Sequence, residues 1–508
     1  MQTFGRLGRC GVLGIVVAAS AALRLACLRN DLWFDEIWSL KLVAIVHSPI
    51  EILTRLHSGN NHPLNSLWIY ALGPSAPEWA YRLLSWATGA ATVGLAGAIA
   101  RRQFVRMHPK DTGDGADAAG LITALLFGGS YMLVLYSSEA RGYAPAVFFS
   151  LLAFYALLRG QVPKIDPARN RINFRDLPPF VYGLACILGL LAHAVSAQIV
   201  IAGFGFSAIV ALRAAGPWRT RASGLLLWHA VPCIFLGLYF IFFFRRLDPG
   251  GATFAGVNHV PLAGVFGDLA AFSLGFPASL GLAVAMPVLL AVTAAGLVLV
   301  FFRSLPLATF YALAVFVTPL PGILSANESV LFPRFFILSV ACALLLSGYF
   351  LARAWMFRAW ARPLCASAVG LFLIGGGFQA WSLLLHGRGE YLRALRYVVA
   401  QTPTPDVTVS TDFSEFRNFL LIDRYGKAAA GPGRSIRYLP SRRWRAPGPE
   451  WIFVERLDNE PDAPGHLYDS HGTYYQLERV FPHAPLSGWT WFVYRNTLLL
   501  GFPPPPGG

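Results

Sequence analysis

Asp35 and Glu36 stand side by side in Trp33-Phe34-Asp35-Glu36, just after an apolar run that ends at Leu28. An ionised carboxylate near hydrocarbon is costly, so such a pair must find a cation, bind a metal ion or take up a proton. Two readings are open: a proton-accepting pair beside the lipid, or an interfacial loop with aromatic anchors and solvated acids. A second group, Ser137-Ser138-Glu139-Ala140-Arg141-Gly142-Tyr143, lies between two apolar runs. Glu139 and Arg141 could work with Asp35, or form a surface ion pair of little energetic weight. The third group, Asn60-Asn61-His62-Pro63-Leu64, could bring a histidine to the same place or be a plain Asn/Pro turn. His193 and Arg334 complete the set, each at the end of an apolar run, and both histidines could equally be satisfied structural residues.

The elements that must position these residues are membrane helices. Of the 508 residues, 55% are hydrophobic and 13% are charged, and the mean hydropathy is +0.52. Apolar runs long enough to cross a hydrocarbon slab of roughly 30 Å recur along the chain. They predict eleven spans: Gly11 to Leu28, Trp79 to Ala100, Ala118 to Leu135, Ala144 to Leu158, Phe180 to Ala192, Val195 to Leu212, Leu225 to Phe244, Leu280 to Phe302, Pro306 to Leu324, Phe335 to Leu351 and Leu364 to Leu385. The first could be read as a cleaved signal peptide; its continuation through Leu28 favours an uncleaved anchor, with Arg24 snorkelling outward.

The net charge of +15 carries no basic stripe with interleaved aromatics, so nucleic acid is not an expected partner. The positive residues instead mark alternate loops: Arg6 and Arg9, Arg101 to Arg106, Arg159 to Arg175, Arg213 to Arg221, Arg303, and Arg353 to Arg362. These loops are cytoplasmic by the positive-inside rule, which puts the N-terminus inside and every candidate group outside. The six cysteines all lie in or beside apolar runs, which excludes a disulfide scaffold or a cysteine-ligated zinc site.

Two outer segments exceed a simple turn. In residues 29–78, Glu36 to Val46 and Leu64 to Leu72 have the pattern of amphipathic interfacial helices. Residues 245–279, rich in Gly, Phe and Pro, suit a mobile covering loop. After Leu385 the composition becomes that of a soluble domain, with helices expected at Glu390 to Gln401 and Phe413 to Tyr425, strands at Asp406 to Ser410 and Trp451 to Glu455, and a disordered Pro-rich tail. The expected organisation is therefore a transmembrane domain over 1–385 and an outward-facing α/β domain over 386–508.

At this point the chain resembles the C-type glycosyltransferases of the protein O-mannosyltransferase and lipid A aminoarabinose transferase kind. Leu32-Trp33-Phe34-Asp35-Glu36 is similar to their aromatic-Asp-Glu motif in the first outer loop. Asn61-His62-Pro63-Leu64 is similar to their His/Lys-Pro-Pro-Leu motif, with Leu64 where a second Pro is common. Ser138-Glu139-Ala140-Arg141-Gly142-Tyr143 resembles the Gln-Glu-Ala-Arg-x-Tyr turn of bacterial members, and Leu190-Leu191-Ala192-His193 and Phe332-Pro333-Arg334-Phe335 resemble two further family positions.

The resemblance implies an all-α polytopic fold with a small C-terminal α/β periplasmic domain, in a bacterial inner membrane. It also implies inverting transfer of a sugar from a polyprenyl-phosphate carrier to a hydroxyl of a lipid, glycan or protein. Asp35 is then the expected general base, with Glu36 and Glu139 as catalytic-site acids that orient it or bind substrate. Arg141 and Arg334 suit the departing phosphate, and His62, Tyr143 and His193 the sugar or phosphate. The three acids could together hold a divalent ion, but a monophosphate leaving group does not call for one, so no metal or cofactor is expected. A lipid flippase or secondary transporter is the competing class; it would place its polar groups near the bilayer midplane in repeated halves, and no repeat is evident here.

Overall fold

The computed structural model describes residues 2–111, 113–160, 177–247, 261–325, 331–411, 415–458, 460–469, 471–486 and 488–500. The basic stretch Lys164 to Arg175, the centre of the second outer segment and the Pro-rich tail therefore lie outside the described residues.

All eleven expected spans fall on helices, and among the described residues nine helical stretches are long and apolar enough to cross a membrane. The two that fall short have local causes. Pro178–Ala192 is a shorter apolar helix. The expected span from Ala118 to Leu135 divides into Asp114–Gly129 and Tyr131–Tyr136, because Ser130 adopts an extended conformation with ψ 115°. At that break the chain runs against the helix Ala361–His386, where a Cβ on Gly376 would lie 2.2 Å from the Gly129 carbonyl oxygen.

The break also corrects the expectation for Arg24. A helix end leaves its last carbonyls without partners inside the helix. Arg24, which is fully buried rather than snorkelling, donates to the Phe127 carbonyl at 3.0 Å and the Gly128 carbonyl at 3.3 Å. A cation at a helix C-terminus is also favoured by the backbone dipole. The Arg24 Nε donates to Ser137 Oγ at 3.2 Å, so the same side chain ties the break to the start of the second motif.

Helix Ile337–Phe357 is apolar on all sides and buried over most of its length, as a helix at the centre of a bundle must be. It begins beside Arg334 and ends beside Arg358; Leu83–Met107 likewise begins at Arg82 and carries Arg101, Arg102 and Arg106 in its last turns. Arg101, Arg102, Arg106 and Arg358 thus lie at the ends of these two helices opposite to Arg82 and Arg334.

In the second outer segment, expected to be a loop, residues Leu262–Leu274 form a buried helix. Its small residues explain the packing: a Cβ on Gly281 would lie 2.4 Å from the Gly267 carbonyl oxygen, so the two backbones touch. Phe266 of this helix packs 5.4 Å from Phe336, which supports the short helical turn Pro333–Phe336 that carries Arg334. Residues 29–78 hold helices at Phe34–Ala44 and Pro63–Leu72, over the two stretches expected to be helical.

Past helix Tyr391–Gln401 the chain builds a mixed sheet of six strands in the order β2-β1-β3-β6-β5-β4. The strands are β1 (Asp406–Thr411), β2 (Ser435–Tyr438), β3 (Trp451–Arg456), β4 (His466–Tyr468), β5 (Tyr474–Phe481) and β6 (Thr490–Asn496). β1 pairs in parallel with β2, to which helix Glu415–Ala430 connects it, and with β3; the remaining pairs are antiparallel. The apolar face of this sheet does not close on itself: Leu32, Trp33 and Ile37 of the first outer segment share one core with Tyr391, Leu395, Val398, Trp451, Phe453 and Trp491.

Candidate active site

The turn Ser137 to Gly142 is held from every side. Ser137 and Ser138 donate their hydroxyls back to the Leu133 and Leu135 carbonyls, which ends the helix Tyr131–Tyr136. Asn65 Nδ2 donates to the Ala140 carbonyl at 2.6 Å, and Ser85 Oγ to the Arg141 carbonyl at 2.9 Å. Gly142 is required where the turn meets the end of Leu177–Ala192, since a Cβ there would lie 1.8 Å from the Ala192 carbonyl oxygen.

Glu36 is fixed to this turn. It is the third residue of helix Phe34–Ala44 and accepts from the Trp33 amide at 3.2 Å, which caps the helix. Its Oε1 accepts from the Ala140 amide at 2.7 Å and from Arg82 Nε at 2.7 Å, and its Oε2 from Arg82 Nη2 at 2.6 Å. Arg82 uses its remaining N–H groups on the Leu28, Asn30 and Asp31 carbonyls at 2.9, 2.5 and 2.9 Å. Both partners are fully buried. Burial alone would raise the Glu36 pKa, but the Arg82 charge and hydrogen bonds outweigh it and hold the carboxyl below its ordinary value. Every lone-pair direction that matters is occupied, so Glu36 positions the loop and does not reach a substrate.

Glu139 is also removed from the mouth of the site. It is fully buried and accepts from Arg388 Nε at 3.0 Å, while Arg388 Nη2 donates to the Leu135 carbonyl at 2.8 Å and to Ser138 Oγ at 3.1 Å. Arg388 enters from the link to the sheet, between Gly387 and Gly389 at φ +58° and +142°.

Asp35 is placed differently. Its side chain is 14% exposed, and one oxygen, Oδ2, receives Arg141 Nη1 in a close ion pair and lies 3.3 Å from Arg334 Nη1. Asn60 Nδ2 holds the Asp35 carbonyl at 2.8 Å and Ser39 Oγ at 2.9 Å, so the Asn60 turn is part of the support for the acid. The two guanidinium groups lie over the Trp33 ring at 6.0 and 5.8 Å, and Arg334 also covers Phe332 at 4.4 Å.

Below Arg141 lies an aromatic floor. Arg141 Nη2 donates to His62 Nε2 at 2.9 Å and its Nε to the same nitrogen at 3.3 Å. Guanidinium has no lone pair, so His62 Nε2 must be the acceptor and the ring is neutral, with its other nitrogen bonded to the Ala192 carbonyl. Burial, reinforced by the Arg334 charge, pushes the His62 pKa down to about 3. His193 stacks on His62 with ring centroids 4.7 Å apart and accepts from the Val195 amide through Nδ1 at 3.1 Å. Burial, then the neighbouring His62, Arg141 and Arg334, hold its pKa well below the ordinary value. Tyr143 packs 4.6 Å from His193 and lies beneath Arg141 at 5.3 Å.

The structure therefore brings Asp35, His62, Arg141, Tyr143, His193 and Arg334 together, and sends Glu36 and Glu139 to separate arginines. Sequence reasoning missed Arg82 and Arg388. Arg388 had a visible signal in its flanking glycines; Arg82 had only its place at the start of an apolar run. Among the described residues no group of three or more His, Cys, Asp or Glu could hold a metal ion.

No family model and no curated protein sequence matches the chain. Solved structures do. The archaeal oligosaccharyltransferase AglB from Archaeoglobus fulgidus, determined with an inhibitory peptide and a dolichol-phosphate, superposes with a TM-score of 0.52 at 14% identity, over 89% of this chain and 70% of that one. An Archaeoglobus fulgidus oligosaccharyltransferase in the apo form gives 0.52 at 14% identity, over 86% of this chain and 65% of that one. ArnT from Cupriavidus metallidurans, bound to undecaprenyl phosphate, gives 0.49 at 16% identity, over 97% and 99% of the two chains. With its bundle of apolar helices and its small C-terminal sheet, this chain has the C-type glycosyltransferase fold.

Proposed function

We propose that the chain is a membrane glycosyltransferase that moves a sugar from a polyprenyl-phosphate carrier to an acceptor hydroxyl at the outer face of the membrane, by way of Asp35. The observation that carries this reading is the sharing of one partly exposed carboxylate between two guanidinium groups, Arg141 and Arg334. Asp35 balances only one of their two positive charges. A phosphate monoester on the departing side of the anomeric carbon supplies the missing anion, and guanidinium binds two of its oxygens at once.

The step balances as follows. The acceptor oxygen forms a bond to the anomeric carbon while the bond from that carbon to the phosphate oxygen breaks on the opposite face, with inversion. The acceptor proton passes to Asp35, which raises the nucleophilicity of a weak hydroxyl, and the phosphate leaves on Arg141 and Arg334. His62, held neutral, orients Arg141 without adding charge. Competition between the phosphate and Asp35 for the same guanidinium groups also orders the reaction: the donor loosens the carboxylate from its partners before the acceptor needs it. The positive charge at the leaving group comes from arginine, so the reading calls on no metal or cofactor.

Orientation follows from the basic loops. Thiols introduced near Asp31 and Gly472 are expected to react with an impermeant reagent added outside, and one near Arg358 is not.

The test of the activity is transfer from synthetic polyprenyl-phosphate sugars by the purified chain in detergent, with product configuration read by NMR. Inverted product and free polyprenyl phosphate in equal amounts are expected. Movement of intact lipid-linked sugar across vesicles, with no product, would make the chain a transporter.

A further inference from the structure

Far from Asp35, three helices leave a groove of about 400 Å³ between them. It is lined by Leu299 near the end of Met286–Phe301, by Phe350, Leu351 and Arg353 near the end of Ile337–Phe357, and by Leu364 near the start of Ala361–His386. Arg334 and Arg353 are separated by nineteen positions on a nearly continuous helical segment, about 28 Å at 1.5 Å per residue. The groove is thus distinct from the candidate active site.

Its walls are apolar, and its open side carries Phe357, Trp360 and Leu364, all more than half exposed. Arg353 is half-buried in its wall, and the exposed Arg303, Arg358 and Arg362 lie close in sequence to the lining residues Leu299, Phe357 and Ala361; none of the four has an ion-pair partner among the described residues. Arg303 and Arg353 both act on His108, whose ring bonds the Tyr349 hydroxyl at 3.0 Å; Asp111 is the acid that faces the same histidine. The Arg358 guanidinium lies over the Phe357 ring at 5.2 Å, so the cation sits directly above apolar surface.

We infer that this groove binds an anionic diacyl phospholipid, with acyl chain against Leu299, Phe350 and Leu364 and the phosphate among Arg353, Arg358, Arg303 and Arg362. Charge complementarity selects the occupant. Basic pockets between membrane helices on the positive side of a protein attract anionic headgroups, whereas a zwitterionic lipid would bring an ammonium group up against unpaired arginines. Trp360 and Phe357 mark the level where headgroup and chain meet, which places the phosphate at the height of the arginines. The inference does not depend on the catalytic reading, because it uses no residue of that site.

The test is native mass spectrometry of the full chain, stripped of lipid in nonionic detergent and then titrated with phosphatidylglycerol or phosphatidylcholine of the same acyl chains. Retention of phosphatidylglycerol is expected to exceed that of phosphatidylcholine by at least about fivefold, and to fall about fivefold for each arginine removed in Arg353→Gln and Arg358→Gln. Ala354→Phe fills the groove, leaves every arginine in place, and is expected to lower retention as well. Equal retention of the two lipids by the unaltered chain would overturn the proposal without recourse to any variant, as would undiminished retention in Ala354→Phe. Preference for polyprenyl phosphate over phosphatidylglycerol, lost in Arg353→Gln, would overturn the choice of occupant.

Discussion

Asp35 leaves part of its carboxylate open and divides one oxygen between Arg141 and Arg334, whereas Glu36, the next residue in the chain, is sealed against Arg82 with every bond fixed. The two side chains diverge because successive residues of a helix point about 100° apart, so one faces the mouth and the other the core. In the sealed pair, charge is matched one to one. In the open group two cations share one acid, and the arrangement can exchange partners when another anion arrives. The difference teaches that an acid pair in sequence need not share one environment: one carboxylate is sealed into the loop, and the other stays partly open.

Four measurements can break or sharpen this contrast. Glu36→Gln leaves the Arg82 charge buried without its counter-ion, a loss that typically costs about 3–5 kcal/mol; thermal unfolding in detergent should show it directly. A stability loss no larger than that of Asp35→Asn would erase the distinction between the two acids. Asp35→Asn itself should fold, retain the donor and lose at least about 100-fold in single-turnover transfer, because the amide cannot take the proton. Near-normal turnover there would move the base elsewhere.

Arg334→Lys keeps the charge but loses the two-pronged geometry. The loss of one charge-assisted hydrogen bond should weaken donor binding roughly 10- to 100-fold, measured by titration with polyprenyl phosphate. The smallest effect is in the floor. His62 has a pKa of about 3 when folded and an ordinary 6.5 when unfolded. The unfolded chain therefore binds the extra proton, so stability is full above 6.5 and falls as the pH drops toward 3. His62→Gln can keep both the bond to Ala192 and the acceptor for Arg141, and should reduce the loss between pH 7 and 5 by about 1–2 kcal/mol. An unchanged acid sensitivity would mean that His62 is already protonated and that Arg141 is held differently.

The helical framework was legible because apolar run length and loop charge are local properties: all eleven expected runs are helices. The convergence of Asp35, His62, Arg141 and Arg334 was legible as a common side of the bundle, from motif order and the spacing of basic loops. Their pairing was not. Arg82 binds Glu36 across 46 residues and Arg388 binds Glu139 across 249, distances over which no local pattern selects a partner. Arg24 was misread for a related reason: its acceptors arise from the helix break at Ser130, more than a hundred residues away. The helix Leu262–Leu274 was hidden by its glycines, which read as loop but serve close backbone packing.

The core that Leu32, Trp33 and Ile37 share with Tyr391, Leu395, Trp451 and Trp491 has a consequence for how the protein is made. Roughly 450 residues separate Trp33 from Trp491, which at a synthesis rate of about 5–20 residues per second amounts to roughly 20–90 s. For that interval the loop bearing Asp35 exists with its apolar underside uncovered. Only a ribosome that has read through β6 delivers the residues that close it. A chain that stopped before β6 would lack Trp491, and the apolar underside formed by Trp33 and Ile37 would stay partly uncovered.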